Sequence, residues 1–115
     1  MNLAGTWSGS ASDSSGPGQM KWQLTQADTS FSGTVTMTDA STGVTGGGSV
    51  SGTVSGSSIN FSISVPAGGF DSPYASCTAE LSGDGQITAS ITATFAGSNS
   101  CTGAITSGQL TLNKQ

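Results

Sequence analysis

The sequence predicts an all-β domain that closes as an eight-stranded antiparallel up-and-down β-barrel, and three observations lead there. Apolar and polar residues alternate with a period of two through most of the 115 residues, as strands with one buried face require. Turn-forming stretches interrupt the alternation at short, regular intervals. No stretch repeats apolar residues at helical spacing among good helix formers. The length fits one domain over residues 1–115, and a fold of this size buries roughly two-thirds of its unfolded surface.

The first strand, about 2–11, carries Leu3 and Trp7 among glycines and serines. A ring of that size is read first as a core plug rather than a ligand contact. "SSGPG" ends this strand. In the second, about 18–27, Met20, Trp22 and Leu24 share one face and Lys21, Gln23 and Thr25 the other. "ADTS" leads to the third, about 30–39, where Phe31, Gly33, Val35 and Met37 point one way and Ser32, Thr34, Thr36 and Thr38 the other. "DASTGVTGGG" precedes a fourth strand at about 47–55, and "SGSS" a fifth at about 58–65 with Ile59, Phe61, Ile63 and Val65 inward.

"PAGGFDSP" introduces the sixth strand at about 74–82, and "SGDGQ" separates it from a seventh at about 86–95. Asp84-Gly85 is read there as a two-residue hairpin turn, since Asp-Gly suits the turns that match strand twist. Ile87, Ala89, Ile91, Ala93 and Phe95 would face inward. After "AGSNS", the eighth strand at about 101–113 changes phase: Cys101, Gly103 and Ile105 share one parity, Leu110 and Leu112 the other. A bulge near Ser107-Gly108 restores the phase and bends the strand, as a barrel needs.

Short connections make successive strands neighbours. Closure removes unpaired edges, and an outer face nearly without charge lacks the lysines and prolines that guard open ones. A two-sheet β-sandwich is the alternative.

Charge narrows the function. Only 7% of residues are charged, the net charge is −4, and the basic residues are Lys21 and Lys114, with no Arg or His. Nucleic acid requires a basic stripe that this chain does not have. Anionic membrane surfaces are disfavoured for the same reason, and no apolar run approaches the roughly 20 residues of a membrane span. Without histidine, a Ser-His-Asp or Cys-His arrangement cannot be built, and no metal site is expected.

Asp13, Asp28, Asp39, Asp71 and Asp84 fall in expected turns, as solvated turn formers. Glu80 alone is mid-strand, on the face of Tyr74, Ser76 and Thr78, which is read as the outside. Were it inside, its pKa would rise and it would become a candidate acid or base. Paired carboxylates for glycoside hydrolysis reduce to Asp71 with Glu80. The inventory favours a protein without catalysis and without a cofactor.

Cys77 and Cys101 are the two cysteines. A disulfide between them is preferred, because a chain rich in Ser, Thr and Gly suits an exported protein that is secreted, periplasmic or at the cell surface. The starts of the sixth and eighth strands lie at one end of the barrel, and parity sends both cysteines inward. Two buried thiols that never meet are the alternative.

Gly5-Thr6-Trp7 resembles the Gly-x-Trp opening of lipocalins and the Gly-Thr-Trp of the avidin–streptavidin family. Those families are eight-stranded barrels of calycin type in which this tryptophan packs across the closed end. "FSGTVTM" is similar in placement to avidin's third strand. Biotin recognition is not implied: Gly9, Val35, Met37 and Leu110 stand where streptavidin-like proteins carry polar ligand contacts. A second resemblance, to small bacterial secreted domains that are often lipoproteins, runs through most of the chain. It ends at Asn99-Ser100-Cys101-Thr102-Gly103 leading to Leu110-Thr111-Leu112, and it implies no activity.

Gly33, Gly52, Ala75, Ala79, Ala89, Ala93 and Gly103 are small for inward positions, so the barrel is either flattened or hollow. A hollow lined by Trp22, Met37, Phe61 and Phe95, with Trp7 at the floor, would take an apolar or aromatic small molecule. The expected function is therefore a non-catalytic binding module. One alternative is an extracellular protein- or glycan-interaction module acting through "DASTGVTGGG" and "VPAGGFDSPY". Another is a small barrel enzyme using a buried carboxylate. The outer threonine rows reflect β propensity, since a twisted wall does not present the flat array that ice or polysaccharide would match.

Overall fold

The computed structural model describes residues 2–115, and its strands close into a barrel. The eight are β1 (Gly5–Asp13), β2 (Gly16–Ala27), β3 (Ser30–Asp39), β4 (Thr45–Ser55), β5 (Ser58–Val65), β6 (Ala79–Ile87), β7 (Ser90–Asn99) and β8 (Gly103–Lys114). Each pairs antiparallel with the next, and β1 pairs with β8 from Trp7↔Lys114 to Ser12↔Gln109. Among the described residues there is no open edge and no second sheet. The up-and-down order puts the β1–β2, β3–β4, β5–β6 and β7–β8 connections at one end, and both termini at the other.

Alternation decides the sides. Trp22, Val35, Ile63 and Ile91 are at most 1% exposed, while Lys21, Gln23, Thr34 and Thr36 face solvent. No charged or polar side chain is buried among the described residues. An apolar interior and a polar outer wall are the reverse of a membrane barrel, whose apolar band faces lipid. No helix among the described residues is long and apolar enough to cross a membrane.

The strand boundaries from 2 to 65 follow the sequence reading closely, apart from residues 2–4. That segment is not strand. It crosses the closed end, where Leu3 is fully buried and the Trp7 indole N–H donates to the Leu3 carbonyl at 2.9 Å. Trp7 is 4% exposed, and the Lys114 ammonium stands 5.8 Å from its ring centre. The ring is the floor, as expected.

The sixth strand needs a correction. "SGDGQ" is not a turn; β6 runs through it, with Asp84 paired to Asn60 and Thr94 and Gly85 to Ala93. The chain reverses instead after Ile87, which pairs with Ile91, so Ala89 sits exposed in that turn rather than on the inner face. The glycines are there for space. A Cβ on Gly83 would lie 2.1 Å from the Thr94 carbonyl oxygen and 2.9 Å from Phe61 Cζ, and one on Gly85 2.1 Å from the Thr92 oxygen. Tyr74, Ala75 and Ser76, expected in strand, belong to the loop 66–78. Ala75, Cys101 and Gly103, expected inward, are exposed because β6 and β8 begin only at Ala79 and Gly103.

All four phenylalanines of the chain follow one rule: each faces a glycine, three across a strand pair and Phe70 across an isolated bridge. Phe31 pairs with Gly52, Phe61 with Gly83, Phe95 with Gly108, and Phe70 bridges to Gly46. Each ring occupies the space that the missing side chain leaves. Gly83→Ala is therefore expected to destabilise by about 1–3 kcal/mol through overpacking. Gly47→Ala, whose Cβ would meet nothing nearer than 3.7 Å, is expected to change stability by less than about 0.5 kcal/mol. Denaturant midpoints compare the two, and equal midpoints would contradict the packing argument.

The phase change in β8 is a bulge, at the place the sequence indicates. Phe95 pairs with Gly108 and Gly97 with Ile105, so Thr106 and Ser107 oppose Ala96 alone. Ser107 has φ 56°, a left-handed conformation that turns the strand by one residue. Ile105, Leu110 and Leu112 are consequently all buried despite their parity.

Candidate functional site at the open end

A cavity of about 220 Å³ opens at the end opposite Trp7. Its deep wall is apolar, made by Met20, Met37, Leu81 and Phe95 from four different strands. Its rim is polar and includes Asp13 at the end of β1, Asp39 at the end of β3, and Asn99 at the end of β7.

The loop 66–78 forms one side of the mouth. Gly47 N–H donates to the Gly69 carbonyl at 2.9 Å, and Asp71 N–H to the Thr45 carbonyl at 2.9 Å. The Asp71 carboxylate accepts from Thr45 N–H in return, at 3.2 Å. These bonds set Phe70 beside Gly46, half-buried against the core and on the cavity wall. The far end of the loop is fixed by the Cys77–Cys101 disulfide, with a Cα–Cα distance of 5.6 Å. Thr78 and Ser100 exchange two hydrogen bonds beside it. Cys77 is buried and Cys101 is in the β7–β8 turn. Such a bond suits an oxidising, non-cytoplasmic environment.

Electrostatics at the rim are one-sided. The Ser41 hydroxyl, then the Ser41 and Thr42 backbone N–H groups, hold the Asp39 carboxyl below its ordinary 3.8. Asp13 accepts from Ser15 N–H at 2.7 Å. Neither lysine lines the cavity: Lys21 is on the outer wall and Lys114 stands over the floor.

Of the residues expected around a hollow interior, Met37 and Phe95 reach this cavity. Trp22 and Phe61 lie deeper, edge-to-face with centroids 5.0 Å apart, and Trp7 is at the opposite end. The cavity is thus at the mouth, with the Trp22–Phe61 pair packed below it. Trp22 Nε1 has no hydrogen-bond partner among the described residues. Glu80 is exposed on the outer wall, where it accepts from the Ser64 hydroxyl at 2.9 Å. Asp71 is exposed too, so the two do not flank a buried pocket. No carboxylate is buried among the described residues.

Met20, which the sequence grouped with Trp22 and Met37 as a possible cavity residue, is on the wall, whereas Leu81 and Phe70 were missed. Leu81 carries the right parity but gave no sign of its height in the barrel. Phe70 did give a sign: it is the one large apolar side chain inside the turn-forming run "PAGGFDSP". The chain matches no protein-family model, and it matches no curated protein. The closed barrel stands on its geometry, and no family is assigned to it.

Proposed function

We propose that this barrel is a non-catalytic binding module that takes a small apolar or aromatic molecule through its open end. One observation carries the reading: an apolar cavity of about 220 Å³ beneath a polar rim. An apolar cavity of about 150 Å³ suffices for benzene, so one ring with a short substituent fits. Met37 and Phe95 form the contact wall, with methionine adapting to the ligand's shape. Trp22 and Phe61 support that wall from below, and Trp7 closes the far end. The disulfide supports an exported location, whether secreted, periplasmic or at the cell surface. The Gly-Thr-Trp opening and the Asn99–Gly103 segment support kinship with calycin-like barrels and small bacterial secreted domains.

Titration with benzyl alcohol is expected to shift the methyl resonances of Met20 and Met37 saturably. Ala11, on the cavity wall and partly buried, offers a way to fill the space. Ala11→Leu is expected to lower affinity at least about tenfold with little change in stability. Methyl shifts that never saturate, or that survive Ala11→Leu unchanged, would refute the reading.

A second reading has one observation in its favour. The start of β4, at Thr45 and Gly47, and the loop 66–78 are joined by hydrogen bonds into a single rim, which supports a protein- or glycan-contacting surface. Capture of a partner that survives Ala11→Leu, and is lost when loop 66–78 is replaced, would select it.

A further inference from the structure

We propose that the mouth cavity selects a monocationic amine whose apolar body is about one aromatic ring in size. This rests on the binding reading above and adds the sign of the ligand's charge.

The rim carries two carboxylates and no cation among the described residues. Asp13 pairs with Gly16 and Asp39 with Gly18, so the acids lie on the two strands that flank the start of β2. Both line the cavity. The chain holds two lysines and no arginine or histidine, and both lysines lie elsewhere. An entering ammonium group meets two carboxylates without a built-in competitor, whereas a carboxylate meets repulsion alone. Asp39 is kept ionised by its own hairpin, through the Ser41 and Thr42 contacts. Asp71, in the loop beside the mouth, adds negative charge nearby.

The wall below fits the rest of such a molecule. Met20, Met37 and Phe95 take the apolar body. Phe70 and Tyr74, on the loop side of the cavity, supply aromatic rings, whose faces attract ammonium groups. Charge above and grease below describe an arylalkyl amine better than a neutral hydrocarbon or a fatty acid.

Three probes of one size separate the possibilities: benzylammonium, benzyl alcohol and benzoate. Each is titrated into the disulfide-bonded protein at low salt, with the Met20 and Met37 methyl shifts as readout. Benzylammonium is expected to bind tightest and benzoate weakest, about tenfold apart, as befits two partly exposed charges. The gap is expected to narrow as salt screens the rim. In the double variant Asp13→Asn, Asp39→Asn the amide oxygens still cap Ser15, Ser41 and Thr42, so the hairpins persist. There the amine is expected to lose its advantage while benzyl alcohol binds as before. Equal binding of amine and alcohol, or tighter binding of benzoate, would overturn the charge assignment and leave the cavity reading standing. Binding by none of the three would overturn both.

Discussion

Replacing Cys77 and Cys101 together with alanine is expected to lower the unfolding free energy by about 3.5 kcal/mol, from closure of a loop of this length in the denatured chain. The cysteines are 24 residues apart in sequence, and that separation sets the magnitude. For a domain of this size the loss corresponds to a melting temperature lower by roughly 10–20 °C. Alanine is the right replacement because Cys77 is buried, and a serine there would add the cost of a buried hydroxyl. The same change acts on the mouth. Loop 66–78 keeps its hydrogen bonds to Thr45 and Gly47 but loses its anchor near Tyr74, so ligand affinity falls while the strands remain paired. Thermal denaturation and far-UV circular dichroism of the double variant separate the effects. An unchanged melting temperature would mean that the crosslink does not restrict the unfolded chain.

How much of this was legible follows from what alternation encodes. Trp22, Val35, Ile63 and Ile91 declare their side through the neighbours on either flank, and closure follows from eight such ribbons with short connections. The β8 bulge was legible for the same reason, because Ile105 and Leu110 cannot both be inward without an extra residue. Asp84-Gly85 misled because a glycine serves two purposes that look alike in sequence. It permits a tight turn, and it makes room for a close neighbour. Only the partner strand, with the Thr94 and Thr92 carbonyls and the Phe61 ring, shows which applies. The site was harder still. Parity gives the face but not the height, so Met37 and Trp22 read alike although one reaches the mouth and the other is buried under it. Height is set by the stagger between strands, a property of pairing that no single strand carries.

Trp7 and Trp22 turn that difference in height into the second large effect. Both rings are almost wholly buried, and either truncation to alanine is expected to cost about 3–5 kcal/mol. Phenylalanine separates them. Each Trp→Phe change removes similar ring area, but Trp7 also gives up the hydrogen bond to the Leu3 carbonyl that fixes residues 2–4 across the floor. Trp22 gives up nothing of that kind, since its Nε1–H has no partner among the described residues, and the change relieves a buried donor that costs about 1–3 kcal/mol when unsatisfied. Trp7→Phe is therefore expected to destabilise more than Trp22→Phe, by about 2 kcal/mol. Urea denaturation of the two variants measures the gap. Trp7→Phe is also expected to loosen residues 2–4, seen as faster amide exchange at Leu3, with the mouth unaffected. A larger cost at Trp22 would show that its indole N–H is satisfied inside the barrel. The layer under Met37 and Phe95 would then be polar and accessible, and the cavity would extend past the depth that confines its ligand to one ring.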